Sequence, residues 1–143
     1  MREPTPPPSS EIDAVRAAYD ALNRGDVPGF VHMFDPRVER VELFSGRSYS
    51  GFAAVTEHVR EGRATWAEGG CEPRRFLAAG DRVVALVDVR VRVQGETDWR
   101  EGRVADVYTF RDGRAIEFRS FGDEREALAW AGLVPAGAGG TAD

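Results

Sequence analysis

Residues 82–121 read RVVALVDVRVRVQGETDWREGRVADVYTFRDGRAIEFRSF, and their alternation decides the fold. Val83, Ala85, Val87, Val89, Val91 and Val93 recur at every second position, which on a pleated strand places all six on one face. Residues 95–98 (GETD) make a turn, and Val104, Asp106, Tyr108 and Phe110 then share a face of the next strand, 99–111. Asp112-Gly113 is the dipeptide that suits a two-residue hairpin turn with both φ angles positive. It leads into a last strand, 114–121, on which Ile116, Phe118 and Ser120 face together. Upstream, the Glu68-Gly69-Gly70 break precedes a further strand over 71–78, so the second half of the chain is an antiparallel meander.

Toward the N-terminus the period changes from two to nearly four. Ile12, Val15, Tyr19 and Leu22 form one buried helical stripe, with Ser10 read as its N-cap and Gly25 as its stop. Asp26 caps a short second helix with Pro28 in its first turn and Phe30, Met33 and Phe34 on its inner face, closed by Asp35-Pro36. Residues 38–44 (VERVELF) read as a strand and 45–47 as a polar turn. A third helix opens at Ser50 or Gly51 and runs to Gly62, with Phe52, Val55 and Val59 on one side. Residues 123–131 finish as a short helix with Asp123 and Glu126 in capping-box spacing. This order predicts an α+β fold: three N-terminal helices on one face of a curved antiparallel or mixed sheet, a cone enclosing one pocket.

The 143 residues suffice for one domain with a core of its own. Residues 1–9 are read as a disordered N-terminal segment, 10–134 as the folded domain and 135–143 as a disordered tail. A net charge of −5, with basic residues interleaved among acids, argues against nucleic acid as a partner. No apolar run reaches the length of a membrane span, and the Pro-rich start lacks the apolar core of a signal peptide, so no membrane partner and a cytoplasmic location are expected. The lone Cys71 excludes an intrachain disulfide, fits a reducing compartment and has no evident activating partner.

Among candidate site residues, Asp106 is the most unusual, because an acid between Val104 and Tyr108 on a buried face must be paired, protonated or at a pocket. Tyr19 lies on the apolar stripe of the first helix, its hydroxyl either satisfied in packing or directed at the cavity. Glu42 faces the cavity in one strand register and solvent in the other, since Val41 and Leu43 offer a competing apolar face. His32 and His58 lie on predicted helices near the cavity, as packing residues or as bases. No metal or cofactor is expected, because no His/Cys/Asp/Glu cluster has ligand spacing. Asp88 belongs with Arg82, Arg90 and Arg92 on the outer face, and Asp123 is explained as a helix cap. Val84 and Leu86, with Trp99 and Ala105 beside them, make that outer face half apolar. With every helix committed to the inner face, a homodimer packed sheet to sheet is predicted.

Several pieces of this chain together resemble the NTF2-like superfamily, and within it the SnoaL-like and ketosteroid-isomerase-like proteins. They are YDALNRGD (19–26) with Phe30 to Phe34, YSG (49–51), VYTFRDG (107–113) and FGD (121–123) with Ala127-Leu128 and Gly132-Leu133. The likeness spans about residues 11–133. It implies a pocket that binds a small, mostly apolar molecule, and a cofactor-independent isomerase or polyketide cyclase that transfers a proton on a carbonyl compound. By the same resemblance Tyr19 and Asp106 match the two oxyanion-hole donors of ketosteroid isomerases and Glu42 their catalytic base. The base is Glu where those enzymes have Asp, and Phe34 and Val59 occupy the places of their supporting tyrosines. Phe34, Phe44, His58, Val87, Val104, Tyr108, Phe118 and Ser120 are then the pocket lining. A non-catalytic binding or accessory protein is the alternative. Hydrolysis of the limonene-epoxide type is a weaker one, since Leu86 and Ser120 replace the Arg and one Asp that accompany Asp88 in that set.

Overall fold

The computed structural model describes residues 8–42 and 45–133. The first helix, α1, covers Pro8–Asn23, so it starts two residues before the predicted cap and Ser10 lies inside it. Proline suits a helix's first turn, where its missing N–H leaves nothing unsatisfied. Gly25, at φ 85°, takes the left-handed conformation that turns the chain out of α1. The Asp26 side chain then accepts from the Gly29 N–H at 3.0 Å and caps α2, Val27–Val31.

The predicted second helix is too long at its end. Phe34 begins strand β1, Phe34–Val41, which runs through Asp35-Pro36 instead of stopping there. Pro36 is tolerated because the pairing of β1 with the last strand is interrupted between Phe34 and Glu39, so no ladder N–H is required of it. A short strand the pattern did not show, β2 (Ser48–Ser50), pairs antiparallel with β1. Gly51 (φ 94°) then opens α3, Phe52–Ala64.

Strand β3, Trp66–Ala79, begins five residues earlier than the pattern predicts. The Glu68-Gly69-Gly70 break is a bulge in the strand, with a register shift between Trp66 and Glu68. Two glycines permit it. A Cβ on Gly69, at φ 99°, would sit 2.0 Å from the Arg90 carbonyl oxygen, and one on Gly70 would sit 2.6 Å from Asn23 Oδ1. Asn23 uses that space to pin α1 to β3, donating to the Cys71 carbonyl at 2.7 Å and accepting from its N–H at 2.8 Å.

Strands β4 (Arg82–Val93), β5 (Trp99–Arg111) and β6 (Arg114–Phe121) form the meander. Asp112 (φ 53°) and Gly113 (φ 82°) make the expected β5–β6 hairpin turn. The sheet order is β2-β1-β6-β5-β4-β3, antiparallel except for the parallel β1–β6 pair. A bulge between Thr109 and Phe110 shifts the register of β6, so Ala115 joins the core where Ile116 was expected. Helices α1–α3 pack on the concave face against Val83, Ala85, Val87, Tyr108, Phe110 and Phe118.

The last helix, α4 (Glu124–Ala131), is capped by Asp123, whose carboxylate accepts from the Arg125 N–H at 2.8 Å. It corrects the expectation that all helices share the inner face. Ala127 and Ala131, with Leu128, cover Val84, Leu86, Ala105 and Val107 on the outer face. Val84, Leu86 and Ala105, three of the four residues on which a dimer surface was inferred, are therefore already buried within the chain. Trp99 stays at the surface under the Arg90 guanidinium, 3.9 Å from its ring centre. No helix among the described residues is long and apolar enough to cross a membrane.

Candidate functional site

A cavity of about 590 Å³ opens where α1 and α3 diverge from the curved sheet. Its floor comes from α1, β5 and β6. Tyr19 projects from the buried stripe of α1, Asp106 from the inner face of β5, and Ser120 from β6 directly opposite Asp106 in the ladder. Period-two alternation with Val104 and Tyr108 places Asp106 inward, and its side chain is only 6% exposed.

Such a carboxyl requires partners, and both of its oxygens have them. The Tyr19 hydroxyl bonds Oδ2 and the Ser120 hydroxyl donates to Oδ1 at 2.6 Å. Behind Tyr19, the Tyr108 hydroxyl lies 2.8 Å from the Tyr19 hydroxyl, which extends the network away from the cavity. Burial, followed by the charge of Asp106, pushes the phenol of Tyr19 well above its ordinary range, and the same causes raise Tyr108. Both tyrosines therefore stay protonated across the physiological range and remain hydrogen-bond donors.

The rim comes from β1 and α3. Val38 is buried in the core, and two-residue alternation brings Arg40 to the same face. Glu42, just past the strand end, lines the cavity too, so of the two registers it is the inward one that forms. Its Oε2 lies 3.3 Å from His58 Nε2, and its Oε1 accepts from the Ser45 hydroxyl. The His58 ring stacks on Tyr49 of β2, centroids 4.1 Å apart. Burial first, then the positive charge of Arg40, lowers the pKa of His58, although Glu42 opposes the shift. The imidazole is neutral at pH 7 and able to take up a proton.

Tyr19, Glu42, Asp106, His58, Val104, Phe118 and Ser120 thus all line one cavity. Other predicted lining residues do not. Phe34 and Val87 are core residues, 1% and 0% exposed, and Phe34 stacks on Phe118 from behind. Tyr108 is fully buried beneath Tyr19, where it supplies the supporting hydroxyl that Phe34 and Val59 cannot. Phe44, with its neighbour Leu43, lies outside the described residues. His32 is exposed at the opposite end of the molecule, beside Asp112 and Arg114. Asp88 points outward and pairs with Arg74 at 2.7 Å and Arg103 at 3.4 Å, while Arg90 and Arg92 bond Glu101 and Glu68 instead. The acid that an epoxide-hydrolysing set would need is therefore on the wrong side of the sheet.

Sequence reasoning missed the cationic part of the wall: Arg40, Arg63 and Arg100. Arg40 had a readable signal, because fixing Val38 as core fixes Arg40 two residues on. Arg63 had none, since its position depends on the close of α1 over α3, where it donates to the Leu22 and Asn23 carbonyls at 2.7 and 3.2 Å. Cys71 also lines the cavity, but burial pushes its thiol up to about 12, which leaves it unreactive as a nucleophile.

Fold and site together define an NTF2-like pocket protein, an α+β cone with one polar cluster on the floor of a mostly apolar cavity. A family model described as the SnoaL-like domain matches residues 15–118, and the chain belongs to that family. Among solved structures, an NTF2-like protein of unknown function from Burkholderia pseudomallei K96243 is 26% identical, with a TM-score of 0.70 over 82% of this chain and 94% of that one. A candidate SnoaL-like polyketide cyclase from Jannaschia sp. CCS1 shares the fold at 14% identity, with a TM-score of 0.73 over 94% of this chain and 100% of that one. A limonene-epoxide-hydrolase-like epoxide hydrolase from M. tuberculosis does so at 19% identity, TM-score 0.70, over 85% and 84%. Comparison with curated proteins finds no match.

Proposed function

We propose that the cavity binds a small, largely apolar carbonyl compound and moves a proton on it, as a cofactor-independent isomerase or cyclase. The observation that carries this reading is the meeting, in one cavity, of a buried acid–phenol pair with a rim carboxylate–imidazole pair. Glu42 takes a proton from the carbon beside the carbonyl, with His58 positioned to hold or relay it. The electron pair moves onto the carbonyl oxygen, where Tyr19 and the protonated form of Asp106 donate hydrogen bonds to it. The Tyr19 proton, given to Asp106 Oδ2 in the structure, turns to that oxygen when substrate enters, with the Tyr108 hydroxyl 2.8 Å behind it in support and Ser120 holding the other oxygen of Asp106. Returning the proton to a different carbon gives an isomerase. Attack of the carbanion on a second carbonyl of the same molecule gives a cyclase.

The test is α-proton exchange of 2-tetralone in D₂O, followed by NMR. Asp106→Asn and Glu42→Gln should each slow protein-catalysed exchange by about 10²-fold or more, with the fold retained by circular dichroism. Exchange at the wild-type rate in Asp106→Asn overturns the assignment. A non-catalytic binding role is the second reading, and one observation favours it: both Asp106 oxygens are already satisfied by protein hydroxyls. Thermal stabilisation by 2-tetralone without any exchange would establish that role instead. A cytoplasmic location belongs to the same proposal, with the unpaired Cys71 as its support. So does a homodimer, now confined to the Trp99 end of the outer face, and a monomeric mass by light scattering at micromolar concentration overturns it.

A further inference from the structure

We propose that the ligand of this cavity is a carboxylate carried on a flat apolar ring, and that Arg40 is its anchor. The inference rests on the cavity being the ligand site and adds the charge of what enters it. Arg40 lies in the cavity wall with its guanidinium carbon 3.9 Å from the centre of the Phe118 ring. Among the described residues only one of its nitrogens is engaged: Nη1 donates to the Val41 carbonyl at 2.7 Å and to the Phe118 carbonyl at 3.4 Å. Among the described residues no carboxylate pairs with it, although Glu42 stands two positions away on the same face. Glu42 spends its contacts on His58 and Ser45.

The other two cations of the wall are committed. Arg63 closes the end of α1 through two carbonyls, and Arg100 is held by both oxygens of Glu96. Among the described residues Arg40 is therefore held at one nitrogen and has no partner along its Nε–Nη2 edge. That edge is a planar two-donor fork, and its geometric complement is a carboxylate. Seated on Phe118, the guanidinium is fixed in orientation and loses little freedom when it binds.

The charge count agrees with an anion. Arg40, Arg63 and Arg100 face Glu42 in the lining, with Asp106 carrying the proton that the proposed chemistry assigns to it, so positive charge is in excess. The remaining wall, with Leu22, Phe30, Val59, Trp66 and Val104, suits a fused or aromatic ring. A ring of that kind with its carboxylate on Arg40 would lie across the cavity between rim and floor.

Titration calorimetry with 2-naphthoate and its neutral isostere 2-naphthamide tests this directly. Wild-type protein should prefer the carboxylate by about tenfold or more, as a charge-assisted two-point contact requires. Arg40→Met should abolish the preference, lowering 2-naphthoate affinity by more than that of 2-naphthamide. Because the preference is a ratio taken within one protein, a partly folded preparation does not distort it. Arg40→Lys, which keeps the charge and loses the fork, should retain a preference of about threefold. Equal affinity for the two probes in wild type, or an undiminished preference in Arg40→Met, overturns Arg40 as anchor and leaves the cavity reading standing. Failure of both probes and of 2-tetralone to bind overturns the cavity reading along with it.

Discussion

The two ends of strand β1 lie in different surroundings. At its start Phe34 and Val38 are buried in the core cluster that also holds Phe30, Phe118 and Val55. Past its other end Glu42 stands with His58 at the cavity rim, their side chains 29% and 21% exposed, and Arg40 lies between the two regions. The closed end holds the fold and fixes the floor, and the open end carries charge. In the closed end a lost atom leaves a void that neighbours cannot fill, whereas at the rim water replaces what is removed.

That contrast is broken first at Phe34, where the largest effect is expected. Phe34→Ala removes one ring of a mutual cluster with Phe30 and Phe118 and should cost about 3–5 kcal/mol in urea unfolding. A loss below about 1 kcal/mol would mean that the closed end is plastic, contrary to its burial. The floor comes next. Tyr19→Phe strips a donor from the buried Asp106 carboxyl and should cost about 2–3 kcal/mol, while Tyr108→Phe, which removes a contact between two neutral phenols, should cost about 1 kcal/mol. Reversal of that order would place the principal stabilising contact between the two phenols. The same tyrosines tie stability to alkali. Their raised pKa means the folded state keeps a proton that the unfolded state gives up, so this contribution is complete below about pH 10 and lost as pH rises beyond it. In Tyr19→Phe the alkaline loss should be shallower, as measured by urea midpoints between pH 9 and 11.

What was legible in the sequence follows the same division. The meander was readable because apolar residues recur at every second position from Val83 to Val93, even though α4 covers the other face and leaves burial continuous from Val83 to Val87. Asp106 was readable for the same reason: an acid inside that pattern has to be explained. The bulge at Gly69 was not, because it depends on a partner distant in sequence, Arg90, and β2 was not, because its three residues, Ser48–Ser50, are too few to show a period. Glu42 was ambiguous because Val38, Val41 and Leu43 do not share one period, and only pairing of β1 with β6 settles which face is inner. The placement of α4 was missed because its own stripe, Ala127, Leu128 and Ala131, says that it packs somewhere without saying on which side of the sheet. Tyr108 was taken as lining because period two assigns a face but not a depth, and its hydroxyl proved to end behind Tyr19.

At the rim the expected effects on stability shrink. Glu42→Gln should change it by no more than about 0.5 kcal/mol, because a half-exposed pair is well solvated when broken. A loss of 2 kcal/mol or more would make the rim as structural as the floor and erase the distinction between the ends of β1.

The smallest effect is the most diagnostic, because it reads the electric field at the rim and not the packing. The pKa of His58 is lowered from its ordinary 6.5, by burial first and by Arg40 second, against the opposing pull of Glu42. A histidine depressed in the folded state is protonated more readily once unfolded. Its contribution is therefore complete above about pH 6.5 and is lost as pH falls below that value. Removing the cation in Arg40→Met should move the His58 ring-proton titration upward in NMR, and neutralising the acid in Glu42→Gln should move it downward. Opposite displacements would show that Arg40, Glu42 and His58 form one electrostatic unit in a site partly shielded from water. If neither variant moves the titration, solvent screens the three from one another, and the rim is ordinary surface beside a cavity instead of part of its chemistry.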